Sequence, residues 1–203
     1  MDINTRSHVI KESLFEDNPL KDFIFLDYEA TGLIVPTNPI EIGVAKTSGY
    51  AESWLIKPAQ TWETVEWHPK AIEIHGLTEN VVKEHGHDCR DIAMWLNDLC
   101  RGKIVVSDNP DYETYWTNRL FLGAGLSSEV KIYPFKPILG EVLEISKLSN
   151  DKFQENIRSV EQKFKVTHRA IDDALFWAMV FRGAVRYPVL EKPKTFQADS
   201  LNL

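Results

Sequence analysis

The chain has 203 residues, with 23 Lys and Arg against 30 Asp and Glu, for a formal net charge of −7. That length suits one domain with a full-sized core, and the 43% hydrophobic and 26% charged fractions exclude a disordered or collagen-like chain. An acidic balance argues against coating nucleic acid by bulk charge, while leaving room for an enzyme that grips phosphate through metal ions.

In chain order, residues 1–21 read as an N-terminal extension without the apolar core of a secretory signal. Phe23–Asp27 (FIFLD) reads as a buried strand ended by a Thr31–Gly32 turn, Pro39–Lys46 (PIEIGVAK) as a second strand and Tyr50–Ile56 as a third, an antiparallel meander. Short helices follow at Pro69–His75, stopped by Gly76, and from a Thr78 cap to about His85. Asp91–Cys100 carries a helical apolar stripe, Lys103–Ser107 is a central strand, and Asn109-Pro110 supplies an N-cap residue and a first-turn proline for the next helix. Val130–Tyr133 is expected as a fifth strand, with helices near Pro137–Lys147, Asp151–Phe164 and His168–Arg186, stopped by Pro188. A domain over residues 22–187 and a tail over 188–203 complete the reading. No apolar run approaches the ~20 residues needed to cross a bilayer. Cys89 and Cys100 match no disulfide framework or zinc spacing. A cytoplasmic chain without membrane association is expected. A meander followed by alternating helices and strands predicts an α/β fold with a mixed sheet flanked by helices.

Three segments carry chemistry. Asp27 and Glu29 of DYEATG lie two apart at the end of an apolar strand, so both project from one face. Two such acids repel and resist desolvation unless a cation neutralises them. They are half of an Mg²⁺ or Mn²⁺ site or two solvated acids at a strand end. In His168–Ala174 (HRAIDDA), His168 and Asp173 are separated by about 140° of net helical rotation, and share a face only if His168 sits in the loop before the helix. Asp173 is then a further ligand and His168 a general base; otherwise both are ordinary residues of a helix start. In VVSDNPDYETYW three acids compete, Asp108, Asp111 and Glu113; on a helix capped by Asn109, Asp111 and Glu113 differ by about 200° in direction, so only one of them can face a given site.

Taken in this order, these segments resemble the DEDD exonuclease superfamily in its DEDDh branch, which includes the proofreading subunit of bacterial replicative DNA polymerase, ribonuclease T and oligoribonuclease. Asp27 and Glu29 match the first motif, Asp-x-Glu, and His168, Asp173 and Ala174 match the third. PIEIGVA is similar to the family's second strand, and AIEIHGLT (Ala71–Thr78) to its Ile-His-Gly-Ile/Leu-Thr segment. The second motif departs: its aspartate falls on Glu113, with Asp111 as the fallback. The resemblance implies a ribonuclease H-like five-stranded sheet and 3′→5′ removal of nucleotides from single-stranded or short DNA or RNA. It implies two divalent ions, Mg²⁺ or Mn²⁺, held by Asp27, Glu29 and Asp173 with Glu113 assisting, and His168 as proton acceptor. Ala30 and Thr31 would lie beside the terminal nucleotide, and a homodimer would fit the family. Two alternatives stand beside this: an impaired module that only binds 3′ ends, motivated by Glu113, and a phosphodiesterase of dinucleotides or small nucleotide esters. Six tryptophans are present. Trp95 and Trp177 are expected in the core, Trp116 on the face of Glu113, and Trp62 and Trp67 in a connection where they could hold substrate.

Overall fold

The computed structural model describes residues 23–165 and 167–185; the extension over residues 1–21, the tail over 188–203 and the stop at Pro188 lie outside the described residues. Five strands form one mixed sheet: β1 (Phe23–Ala30), β2 (Pro39–Lys46), β3 (Ala51–Leu55), β4 (Ile104–Ser107) and β5 (Ile132–Pro134). Their spatial order is β3-β2-β1-β4-β5. The first three run antiparallel in sequence, and β4 and β5 add parallel to β1. Seven helices accompany them among the described residues: α1 (Pro69–His75), α2 (Glu79–His85), α3 (Cys89–Cys100), α4 (Pro110–Ala124), α5 (Phe135–Ser146), α6 (Asn150–Lys163) and α7 (Ala170–Ala184). No described helix is long and apolar enough to cross a membrane.

Alternation along β1 divides the core into two layers. Phe23 and Phe25 point to one face and pack with Phe135 of α5, Val160 of α6 and Phe181 of α7. Ile24, Leu26 and Tyr28 point to the other, against Ile92 and Leu96 of α3 and Leu120 and Phe121 of α4. The Phe23 and Phe181 ring centroids are 4.5 Å apart. Both cysteines are free and buried in the second layer, where burial pushes each thiol up to about 12. Trp95 and Trp177 pack against the two layers half-buried. Trp62 is 8% exposed and donates its indole N–H to the Arg119 carbonyl at 2.9 Å, so it is a core residue and no free stacking surface. Trp67 packs against the small cluster of Ile40, Leu77 and Val82.

Several boundaries differ from the sequence expectation for local reasons. β1 runs three residues past Asp27, because Tyr28, Glu29 and Ala30 continue to pair with β2 through an irregularity at Glu29/Ala30. α3 starts at Cys89, where Asp88 caps it by accepting from the Arg90 N–H at 2.7 Å. β5 is shifted to Ile132–Pro134, so α5 opens at Phe135 with Pro137 inside its first turn. Asn109 occupies the N-cap position of α4 but makes no capping bond with its side chain; its own N–H donates to Ser107 Oγ at 3.1 Å. Gly76 ends α1 at φ 73°, a left-handed conformation that favours glycine.

The contact that positions the site is between β2 and α7. Ala45, Gly43 and Glu41 alternate along β2 and lie opposite Phe25, Asp27 and Glu29 of β1. A Cβ on Gly43 would fall 2.2 Å from the Ala170 carbonyl carbon, so only glycine lets the first turn of α7 lie this close to the sheet. Gly43→Ala should therefore lower the unfolding free energy by at least ~1–3 kcal/mol, as overpacking does. Urea denaturation followed by circular dichroism checks this.

Candidate active site

Along its inward face β1 changes from aromatic to acidic, from Phe23 and Phe25 to Asp27 and Glu29. The face that holds the first core layer thus carries two carboxylates at its C-terminal half. Asp173, in the first turn of α7, comes down beside them. One oxygen from each of Asp27, Glu29 and Asp173 lies within 4.8 Å of the others.

The two acids of α4 separate cleanly. Asp111 is exposed, whereas Glu113 is 2% exposed and turned inward. Glu113 is near enough to Asp27 to be the strongest repelling charge on it. Among the described residues its Oε2 has no hydrogen-bond partner, and neither does Asp173 Oδ1. A buried acceptor left unpaired costs ~1–3 kcal/mol, more when charged.

The third motif is set by the backbone. α7 begins at Ala170, so His168 lies in the loop ahead of it, in a left-handed conformation with φ 54°. Its side chain is 58% exposed, and its Nδ1 is 4.0 Å from Asp173 Oδ2. On the far side of that loop, Arg169 forms a two-pronged ion pair with Glu41 of β2, donating Nε to Oε2 at 2.9 Å and Nη2 to Oε1 at 2.6 Å. Glu41 is 1% exposed. Its importance was not singled out by sequence reading, although an acid at an inward position of PIEIGVA was the available signal.

Ala30 and Thr31 take different places. Ala30 lines a cavity of about 400 Å³ with Tyr28, Glu29, Leu33, Ile34 and Trp116. Across it stand His68, Ala71, Ile74 and His75, from α1 and the residue before it. Thr31 is buried and its polar groups are engaged. Its N–H donates to the Asn38 carbonyl at 3.0 Å, its carbonyl accepts from the His68 N–H at 2.8 Å, and its hydroxyl accepts from the Asn38 N–H at 3.1 Å. Thr31 therefore ties the loop after β1 to the start of α1. Trp116 both packs and forms a wall: its ring lies tilted against those of Tyr28 and Tyr112, it donates its indole N–H to Thr37 Oγ1 at 3.0 Å, and it faces the cavity. His75 accepts the Leu77 N–H at Nδ1 at 3.0 Å, and burial lowers its pKa, favouring the neutral ring. The mouth carries exposed apolar side chains, with Ile34 at 82%. Neither the cavity nor this apolar rim was anticipated, though the run LIVP after the turn was a visible oddity in a loop.

Electrostatically the site is a cluster of reluctant anions. Burial, then the charges of Glu113, Glu29, Asp173 and Asp108, holds the Asp27 carboxyl well above the usual range. Burial, then Asp108 and Glu29, does the same to Glu113. Glu29 is pushed up to about 9 by burial and by Glu41 and Asp173, with Arg169 opposing. Asp173 rises to about 6, mainly through burial, against the pull of His168. The donor set fits a hard divalent cation: the ligands are carboxylate oxygens, they converge, and two buried oxygens have no partner among the described residues.

A pH dependence follows. Below pH 4.5 Glu29 is protonated whether the chain is folded or not; above it the unfolded chain loses that proton while the folded one keeps it up to about 9. Asp173 behaves alike between 3.8 and about 6. The metal-free protein should accordingly lose stability as the pH climbs from about 4 to about 9. Mn²⁺ should raise the melting temperature more at pH 8 than at pH 5, and Asp27→Asn should raise the metal-free value at pH 8. Differential scanning calorimetry with EDTA or Mn²⁺ checks all three.

Exonuclease I superposes with a TM-score of 0.57 at 16% identity, covering 80% of this chain and 40% of that one. Exonuclease I of E. coli in complex with a dT13 oligonucleotide gives 0.56 at 16%, with 80% and 40% covered. Pop2p of S. pombe, in its Mg²⁺- and Mn²⁺-bound form, gives 0.55 at 17%, with 91% and 88% covered. The chain thus spans about 40% of the length of the exonuclease I structures it resembles. No curated protein sequence matches it. The structural likeness shows the fold, a ribonuclease H-like mixed sheet flanked by helices. The family model named RNase_T, described as exonuclease, matches residues 24–181, and the chain belongs to that exonuclease family.

Proposed function

We propose that the protein is a metal-dependent 3′→5′ exonuclease that releases nucleoside monophosphates from single-stranded or short nucleic acid. The observation that carries this reading is the convergence of Asp27, Glu29 and Asp173, with Glu113 buried behind Asp27, beside a cavity of about 400 Å³. That volume falls in the ~300–1,000 Å³ range of small-ligand sites. Membership of an exonuclease family supports the hydrolysis of a phosphodiester, and the neighbours described with oligonucleotides or with Mg²⁺ and Mn²⁺ support the ligand and the ions.

Asp27, Glu29 and Asp173 would hold the divalent ions, and the inward oxygen of Glu113 would orient the ligands around Asp27. Bound there, the ions would lower the pKa of a water and offset the charge of the phosphate. The chain's residues divide the remaining work. His168, at the solvent edge and 4.0 Å from Asp173, accepts the proton of the attacking water at an imidazole nitrogen. Leu33, Ile34 and Ile74 grip the terminal nucleoside through apolar contact, while Ala30, small and backbone-like, lets it approach β1. Thr31 keeps that loop in place through its bonds to Asn38 and His68. Excluding water from this side favours attack along the open carboxylate face.

The test is a time course on 5′-labelled single-stranded DNA and RNA and on dinucleotides, with Mg²⁺, Mn²⁺ or EDTA. A metal-dependent ladder shortening from the 3′ end is expected, absent in Asp27→Ala and about 10²–10⁴-fold slower in His168→Ala. Intact oligomers with cleaved dinucleotides would instead assign the small-ester activity, and bound but uncleaved oligomers the 3′-end binding module. Retained turnover in Asp27→Ala would overturn the site itself.

A further inference from the structure

Glu41 and Arg169 are a costly pair to bury, and their placement gives a reason for keeping them. Glu41 lies opposite Glu29 on the sheet and is 1% exposed. Besides the two bonds from Arg169, its Oε2 accepts the Ala170 N–H at 3.2 Å. Arg169 occupies the N-cap position of α7 but offers no side-chain acceptor to it. The carboxylate of β2 therefore caps this helix from across the sheet, satisfying a first-turn N–H and placing negative charge at the positive end of the helix.

The same interaction brackets His168. On one side Thr167 Oγ1 bonds to Asp172 Oδ2. On the other, Arg169 is fixed by two parallel bonds to Glu41, a geometry that leaves the guanidinium little freedom. Between them His168 sits at φ 54°, a left-handed conformation that histidine adopts more readily than most residues with a side chain. Gly43, two residues along β2, lets the Ala170 backbone press onto the strand.

We propose that Glu41 and Arg169 are positioning residues for hydrolysis: their ion pair clamps the loop before α7 to β2 and so aims His168 at the carboxylate cluster. This rests on the exonuclease reading, in which His168 accepts the proton. The clamp acts through His168 and supplies no ligand to the ions, although the charges of both residues also reach Glu29.

Glu41→Gln is nearly isosteric and keeps one acceptor for Ala170, so it should fold; Arg169→Lys keeps the charge without the fork. Glu41→Gln should lower kcat by about 10–100-fold, the cost of a misplaced catalytic group, with KM for an oligonucleotide within threefold of wild type; because Glu41 also repels Glu29, calorimetric Mn²⁺ affinity is followed beside kcat and should change by much less than kcat does. Arg169→Lys should fall between the two. The double variant Glu41→Gln/His168→Ala should be no slower than His168→Ala alone, because both changes remove one function. Multiplying losses, or a fall in Mn²⁺ affinity that matches the fall in kcat, would overturn the clamp. A wild-type chain without hydrolysis would defeat the exonuclease reading instead. The clamp is then judged on the His168 imidazole ¹H–¹⁵N signals, which should shift and broaden in Glu41→Gln and stay unchanged if the pair has no hold on the ring.

Discussion

Mutual repulsion among carboxylates on one half-buried face is the constraint from which the other features of this chain follow. Asp27 and Glu29 share that face because they alternate along β1, Asp173 descends on it from α7, and Glu113 backs it from α4. A chain relaxing to its most stable form would disperse such charges. Here rigid elements prevent it: β1 is central, paired on both edges, and anchored by Phe23 and Phe25 in one layer and Ile24 and Leu26 in the other. The hydrophobic core thus supplies the free energy that holds the anions together, an exchange of stability for binding strength that is common at functional sites.

Three structural devices deliver the acids of the cluster. The β1 pair needs only strand alternation. Glu113 needs a helix whose start is fixed by Pro110, so that the fourth helical residue turns inward while Asp111 faces water. Asp173 needs α7 to begin close against the sheet, which depends on Gly43 and on the bonds made by Glu41. Trp116, one turn beyond Glu113, seals the space between α4 and the loop after β1 by bonding to Thr37.

The sheet and most helices were legible in the sequence wherever chemistry marked their ends. β2, bounded by Pro39, and α1, bounded by Pro69 and Gly76, occupy the expected residues. Glu29, a poor strand former in isolation, stays in β1 through pairing with Glu41. Choosing between Asp111 and Glu113 needed the phase of α4 relative to the sheet, which local periodicity does not give. The Glu41–Arg169 pair joins residues 128 apart in the chain; no local pattern announces such a partner. Likewise the cavity is made by the loop after β1 folding over α1, and only their packing creates it.

That cavity has a consequence for selectivity. Leu33, Ile34, Ala71, Ile74 and the ring of Trp116 present hydrocarbon and π-surface. The nearby Thr31 spends its hydrogen bonds within the protein, and His75 spends Nδ1 on Leu77. Such walls respond to flatness and bulk, and the polar side chains that also line the cavity, Glu29, His68, Lys70 and His75, are outnumbered by the apolar ones. On the exonuclease reading, discrimination among ends then falls to how readily a terminal base leaves its neighbours. A frayed or mismatched end enters at little cost, while a well-stacked, paired one must first be opened, so the chain would sense the looseness of an end more than its letters.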